Sequence, residues 1–190
     1  MAAEVALASV MVFSILLITL HFLKPENDPS WRMISEYEIG RWGWLMRIAF
    51  SFWSLSCMAL AVALFGHVSI VGEVLLTIVA IGPLGATFFA TDPITTAPES
   101  QSTASKLHSL FGAIFIFGLP IAATVIDWNL GARLDWMSLV VWLGLGVMGS
   151  VLFIGTRKIP LGSQARIGWP NRFMVLTYVA WIIVVAATIK

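Results

Sequence analysis

The sequence predicts an all-α integral membrane bundle of about six transmembrane helices arranged as three hairpins. Three observations carry that expectation. The 190 residues are 59% hydrophobic and 11% charged, with a mean hydropathy of +0.92, whereas a soluble domain carries about twice that charged share. The apolar residues gather into six runs, each close to the roughly 20 residues a helix needs to cross the hydrocarbon. The connections between the runs alternate between long and short.

In chain order the runs are Val5 to Leu23, Trp42 to Phe65, Val68 to Ala90, Leu107 to Ile126, Met137 to Gly155 and Phe173 to Ile189. Each is expected to be helical, because a lone span in lipid must satisfy its own backbone hydrogen bonds. The first reads as a span and not as a removable signal, since it lacks a basic leading segment and carries Glu4. The third run holds Gly82, Pro83 and Gly85, and the fourth holds Pro120; a kink or local unwinding is expected at each. The fifth contains Gly146 and Ser150, four apart, a spacing that permits close helix packing within the bundle or between copies. No linker or composition shift marks a second domain, so residues 1–190 are expected to form one transmembrane unit. Cys57 is the lone cysteine, and no intrachain disulfide can form.

The polar connections at Lys24–Arg41, Thr91–Lys106 and Thr156–Arg172 are long, and those at Gly66–His67 and Asp127–Trp136 are short. With six spans the three long connections share one face, here face B, and the termini and short turns share face A. Face B collects Lys24, Arg32, Arg41, Lys106, Arg157, Lys158, Arg166 and Arg172, while face A has Arg133 and Lys190. Lys and Arg accumulate on the cytoplasmic side of membrane proteins. Face B is therefore expected in the cytoplasm, with both termini outside, in a plasma membrane of the bacterial inner-membrane kind. Trp31, Trp42, Trp44 and Trp169 mark one interface, and Trp128 and Trp136 the other.

The stretch from His21 to Arg47 is the least generic connection. Asn27–Asp28–Pro29–Ser30 is a turn signal. The spacing of Trp31, Ile34 and Tyr37/Glu38 fits a short amphipathic helix in the interface, acting as an anchor or as a lid with Glu36 or Glu38 inward. Spans two, four and six all begin at face B, and helix N-termini favour anions. Together with Arg32, Arg41, Arg47, Asn171 and Arg172 they suggest a site for phosphate or carboxylate. Arg47 lies inside span two, where a charge is costly, and pairing with Glu36, Glu38 or Asp92 is the expected remedy. Glu36, Asp92 and His108 are the candidates for acid–base work. Asp92 at the end of span three calls for a cationic partner, a ligand or a plain stop signal. Glu73 either snorkels or pairs with Arg133. His21 and His108 sit at similar depth and are weak candidates for haem or metal, although no metal-ligand spacing occurs. Ser35 and Ser105 lack a nucleophile elbow, and Thr103 or Ser105 is the expected cap of span four.

The residues KPENDPSWRMISEYEIGRWGWLMR, with FATDP, His108 and GWPNR, resemble a group of small multi-pass prokaryotic membrane proteins. That group is catalogued only as a domain of unknown function, number nine-nine-eight. The resemblance spans essentially the whole chain and implies a helical membrane fold and no activity. Alkaline-ceramidase-like hydrolases share the six-helix layout but require a His-x-x-x-His in a late helix, which is absent here.

The residues thus point first to a membrane protein that binds an anionic lipid or amphiphile headgroup at the cytoplasmic interface. The other classes are a small-solute transporter component, a His-ligated redox protein, and a non-catalytic partner of a membrane complex. The bilayer is the expected partner, an anionic lipid and a homo-oligomer are further candidates, and nucleic acid is not; no residue pattern names a cofactor. A reporter fused after Lys190 is expected to be active outside the cytoplasm, and cytoplasmic activity would reverse the assigned orientation.

Overall fold

Residues 1–131, 136–155 and 162–189 are described in the computed structural model, without the side chains of 154 and 155. Arg133, Arg157, Lys158 and Lys190, used above to orient the chain, lie outside the described residues, as does the expected pairing of Glu73 with Arg133. The fold is an all-α, multi-span membrane-like bundle. Its long helices are α1 (Ala2–Leu23), α2 (Gly43–Leu64), α3 (Ile70–Phe88), α4 (Thr103–Leu130), α5 (Met137–Gly155) and α6 (Gly168–Thr188). By length and composition α1, α2, α3, α4 and α6 can each cross a membrane, and α5 contributes a shorter apolar helix over Met137–Phe153. Each helix touches the next in sequence, and α6 returns to α1, which closes the ring.

Three helices begin earlier than expected: α1, at Ala2, α4 and α6. α4 starts at Thr103 because Ser102, not Thr103 or Ser105, is its cap: the Ser102 hydroxyl accepts the Ser105 N–H at 3.1 Å. α6 starts at Gly168, ahead of Pro170. A proline in the first turn removes only an N–H that would lack a helical partner anyway. Asn171 and Arg172 therefore ride on α6 itself.

The prolines do not unwind their helices; α3 and α4 run through Pro83 and Pro120. Pro120 has no N–H to offer the carbonyl of Ile116 one turn earlier. The Tyr178 hydroxyl of α6 donates to that carbonyl at 2.6 Å instead, tying α4 to α6. The same tyrosine ends an aromatic series across the bundle. Phe13 stacks on Trp53 at 4.1 Å, Trp53 meets Phe115 edge-on at 4.4 Å, and Phe115 meets Tyr178 at 5.7 Å. Within the bundle, close packing of α5 falls at Gly144 and not at Gly146 and Ser150. A side chain at Gly144 would overlap Thr177 of α6, whereas one at Gly146 would meet nothing within 4 Å, and Ser150 is exposed. Glu73 accepts the Gly66 N–H at 3.0 Å, closing the short α2–α3 turn.

The α1–α2 connection forms a five-residue 3-10 turn at Ile34–Glu38, not an amphipathic helix in the interface. Ile34, Glu36, Tyr37 and Glu38 are all buried. The turn is seated against the start of α6, where Gly168 has no room for a side chain beside the backbone of Pro29, Trp31 and Arg32. Arg172 fixes it from the same helix. Replacing Arg172 with alanine is expected to cost about 2–3 kcal/mol and to speed tryptic cleavage at Arg32 and Arg41. Unfolding followed by tryptophan fluorescence and limited proteolysis measure both; an unchanged rate and stability would mean the turn holds itself.

Candidate functional site

The buried turn is assembled from its ends inward. Asp28 accepts the Ser30 N–H at 2.8 Å, the Asx geometry expected of Asn-Asp-Pro-Ser. This hydrogen bond also holds the exposed Asp28 carboxyl below its usual range. Glu36 caps the 3-10 turn by accepting the Met33 N–H at 3.0 Å, pairs with Arg32 at 2.5 Å, and accepts the Ile94 N–H at 3.0 Å. At the other end of the turn, the Lys24 ammonium donates to the carbonyls of Tyr37 and Ile39. A cation there meets the negative end of the turn. Burial pushes the Lys24 pKa down, and nearby Glu26 opposes that shift.

Arg172 contributes the most contacts. Its Nε donates to His21 Nε2 at 2.7 Å, Nη1 to the carbonyls of Arg32 (2.7 Å), Gly168 (3.1 Å) and Pro29 (3.4 Å), and Nη2 to the Tyr37 hydroxyl at 3.1 Å. Next to it, Asn171 Oδ1 accepts the Ile34 N–H at 3.0 Å. His21 is occupied at both ring nitrogens, because Nδ1 also contacts the Leu17 carbonyl at 2.7 Å. Its ring therefore has no nitrogen left for a metal.

Glu38 faces α2, α4 and the segment between α3 and α4, which Glu36 also reaches at Ile94. Its Oε1 lies 2.9 Å from Arg47 Nε, although no directed hydrogen bond satisfies that oxygen. Its Oε2 accepts the Thr91 N–H at 3.4 Å and lies 3.6 Å from His108 Nδ1. His108 Nδ1 is 2.7 Å from the Phe89 carbonyl, an acceptor, so Nδ1 carries the proton and Nε2 is an acceptor in the neutral ring. Of the expected partners for Arg47, the structure selects Glu38. Among the described residues Asp92 forms no ion pair. It accepts the N–H (2.7 Å) and hydroxyl (3.2 Å) of Ser102, and so supplies the carboxylate at the start of α4.

Beneath the turn lies a cavity of about 320 Å³. Met33, Ile34 and Ser35 close its face-B end, where Thr91, His108, Ser109 and Asn171 add polar groups. Its depth is apolar, lined by Phe50 and Trp53 of α2, Pro83 of α3, Phe115 of α4, Met148 of α5 and Met174 of α6. From His108 to Phe117 it follows α4 for about 14 Å, ending on the aromatic series. Among the described residues, none that lines it carries a fixed charge.

The candidate residues thus divide. His108 and Asn171 line the cavity. Glu36 and Asp92 are spent on backbone N–H groups, and Arg32, Arg47 and Arg172 on carboxylates, carbonyls and rings of the chain itself. Arg41 is exposed and packs over Trp42 with 5.0 Å between guanidinium and ring. His21 and His108 belong to separate clusters, and among the described residues no group of three or more His, Cys, Asp or Glu is placed to hold a metal. Lys24, Tyr37 and Ser35 were missed as members of the site. Lys24 had a readable signal, a lysine immediately after a span and ahead of a proline.

Burial pushes the Glu38 carboxyl up from 4.5 to about 7, with Arg47 and the Thr91 N–H pulling it back. Between those values the folded chain binds more protons than the unfolded one. Stability from this group therefore falls as pH rises from 4.5 to about 7 and is level above that. The expected size is on the order of 3 kcal/mol. Glu38→Gln is expected to flatten the dependence between about pH 5 and about pH 8, read as thermal unfolding in nanodiscs. An unaltered slope would assign the titration to another group.

No curated protein and no solved structure matches the chain. A family model described as "Protein of unknown function (DUF998)" matches residues 7–188. With nearly the full length covered, the fold is that of a polytopic membrane protein, and the chain belongs to the DUF998 family.

Proposed function

We propose that the protein binds a lipid-like amphiphile, with the apolar part in the cavity and the polar part under the buried turn. The observation that carries this is the polarity gradient of the cavity, from Ser35, His108, Ser109 and Asn171 at face B to Phe50, Trp53, Phe115 and Met174 in its depth. Ligand sites characteristically combine apolar walls with a few placed polar groups. In this reading the chain is a single transmembrane unit of six spans in three hairpins that open at face B, with face B cytoplasmic. An anionic headgroup draws less support than the sequence suggests, because Arg32 and Arg47 are already paired with Glu36 and Glu38 and the described residues of the cavity lining carry no fixed charge. The exposed Arg41 and Lys106 supply positive charge outside the cavity. An uncharged hydrogen-bonding linkage next to one hydrocarbon chain suits the walls best. An acid–base role narrows to His108, whose Nε2 carries no proton in the neutral ring.

The test is native mass spectrometry of protein extracted in a mild detergent. One retained lipid per chain is expected. Ala113→Trp, which puts bulk into the cavity, should remove it, and His108→Ala should weaken it about fivefold, the worth of one hydrogen bond. Arg41→Ala should leave it unchanged. A wild-type protein that retains no lipid, or equal retention by Ala113→Trp, would count against the reading.

A further inference from the structure

The cavity has two boundaries of different character. Over its face-B end lies a turn that Lys24, Glu36, Asn171 and Arg172 fasten to three parts of the chain: the end of α1, the α3–α4 segment and α6. Its side, between α4 and α5, is not fastened in the same way. These helices are hydrogen-bonded near face A, where Ser138 N–H donates to Asp127 at 2.6 Å and Trp142 Nε1 to Thr124 at 2.9 Å. From there toward face B, no hydrogen bond joins them among the described residues. Two stripes face the cavity over that length, Ser109, Gly112 and Ile116 on α4 and Leu145, Gly149 and Leu152 on α5, both at helical spacing. A side chain added at Gly112 or Gly149 would meet nothing within 4 Å. The stripes continue into the outer surface of the bundle: Ser109 is exposed, and Phe117, a cavity residue, is 59% exposed. Leu110 and Leu143 beside them are each 56% exposed, a surface that in a spanning helix faces lipid tails.

Resting on the amphiphile-binding reading above, we propose that the gap between the face-B halves of α4 and α5 is a lateral portal, through which a bilayer lipid inserts one hydrocarbon chain into the cavity. The occupant is a membrane lipid, because the fastened turn lies over the polar end and the lateral side is continuous with the surface that faces lipid tails. One chain is the limit by size. A volume of about 320 Å³ holds on the order of ten water-sized groups, enough for part of one chain and too little for two. The rest of the lipid stays in the bilayer and spans the gap, where two glycines leave it room.

The test uses phosphatidylcholine vesicles holding the full-length protein and a trace of phosphatidylcholine with a diazirine at the end of one chain. After illumination, labelled residues are mapped by mass spectrometry. Labels on the cavity residues Met148 and Met174 are expected in the wild type. Gly112→Phe combined with Gly149→Phe should lower them at least fivefold while thermal unfolding is unchanged, since neither position is crowded. Equal labelling of the wild type and the double variant would overturn the portal and leave lipid binding intact. Absence of cavity labels in the wild type would also overturn the portal. Native mass spectrometry of that sample then separates the two ideas, since retained lipid preserves the binding reading and none removes both.

Discussion

The arrangement depends on one guanidinium. Arg172 sits in the first turns of α6, next to apolar spans, where an unsatisfied charge is expensive. Its partners are neutral: three carbonyls, a phenol and an imidazole. A planar donor set with five N–H groups can hold a chain that wraps around it, which an ammonium cannot do in the same way. The polypeptide from Pro29 to Tyr37 is bent around that plane. Once it is bent, Glu36 and Glu38 are both carried inward, toward Ile94 and Thr91. Each then needs a partner, which Arg32, Arg47 and the N–H groups of Thr91 and Ile94 supply. Burial of the acids follows from the position of the arginine.

The cavity is a result of the same geometry lower down. The aromatic series from Phe13 to Tyr178 fills the middle of the bundle, and the Tyr178–Ile116 hydrogen bond sets α6 against α4 at the height of Pro120. Asp127 holds the next two helices close at this end of the bundle, through Ser138 at the start of α5 and Trp181 in the C-terminal half of α6. Between this fastened lower part and the turn above, no hydrogen bond joins α4 and α5 among the described residues, and space remains between them. An apolar space next to a polar ceiling is the product.

The spans were legible because lipid imposes a simple rule on composition and length. Their ends were less so. The start of α6 depends on the tolerance of a first-turn proline, and that of α4 on which of several hydroxyls bends back. The turn at Ile34–Glu38 was read as an interfacial helix because Trp31, Ile34 and Tyr37 have that spacing; the burial of Glu36 and Glu38 opposes the inference, and no periodicity encodes it. The arginines were read as hands for an anion for a related reason. A cation rich in potential ligands looks the same in sequence whether its partner is external or, as for Arg172 and His21, lies far along the same chain. Asn171 and His108 were visible as polar residues at helix starts. That they share a cavity, while Asp92 turns away to Ser102, depends on helix rotation, which one sequence does not fix.

Connections between helices ordinarily absorb changes of length with little harm. The one between α1 and α2 has lost that freedom. Its two acids occupy buried sites two residues apart, so a single inserted or deleted residue between Trp31 and Glu38 would rotate the 3-10 turn by about 120° and take the carboxylates off their partners. The segment is outside every long helix, yet its length is as constrained as that of a core strand. Variation among related chains should therefore accumulate in the stretch from Thr95 to Gln101, where much of the backbone is exposed, and substitution without change of length should be the rule here.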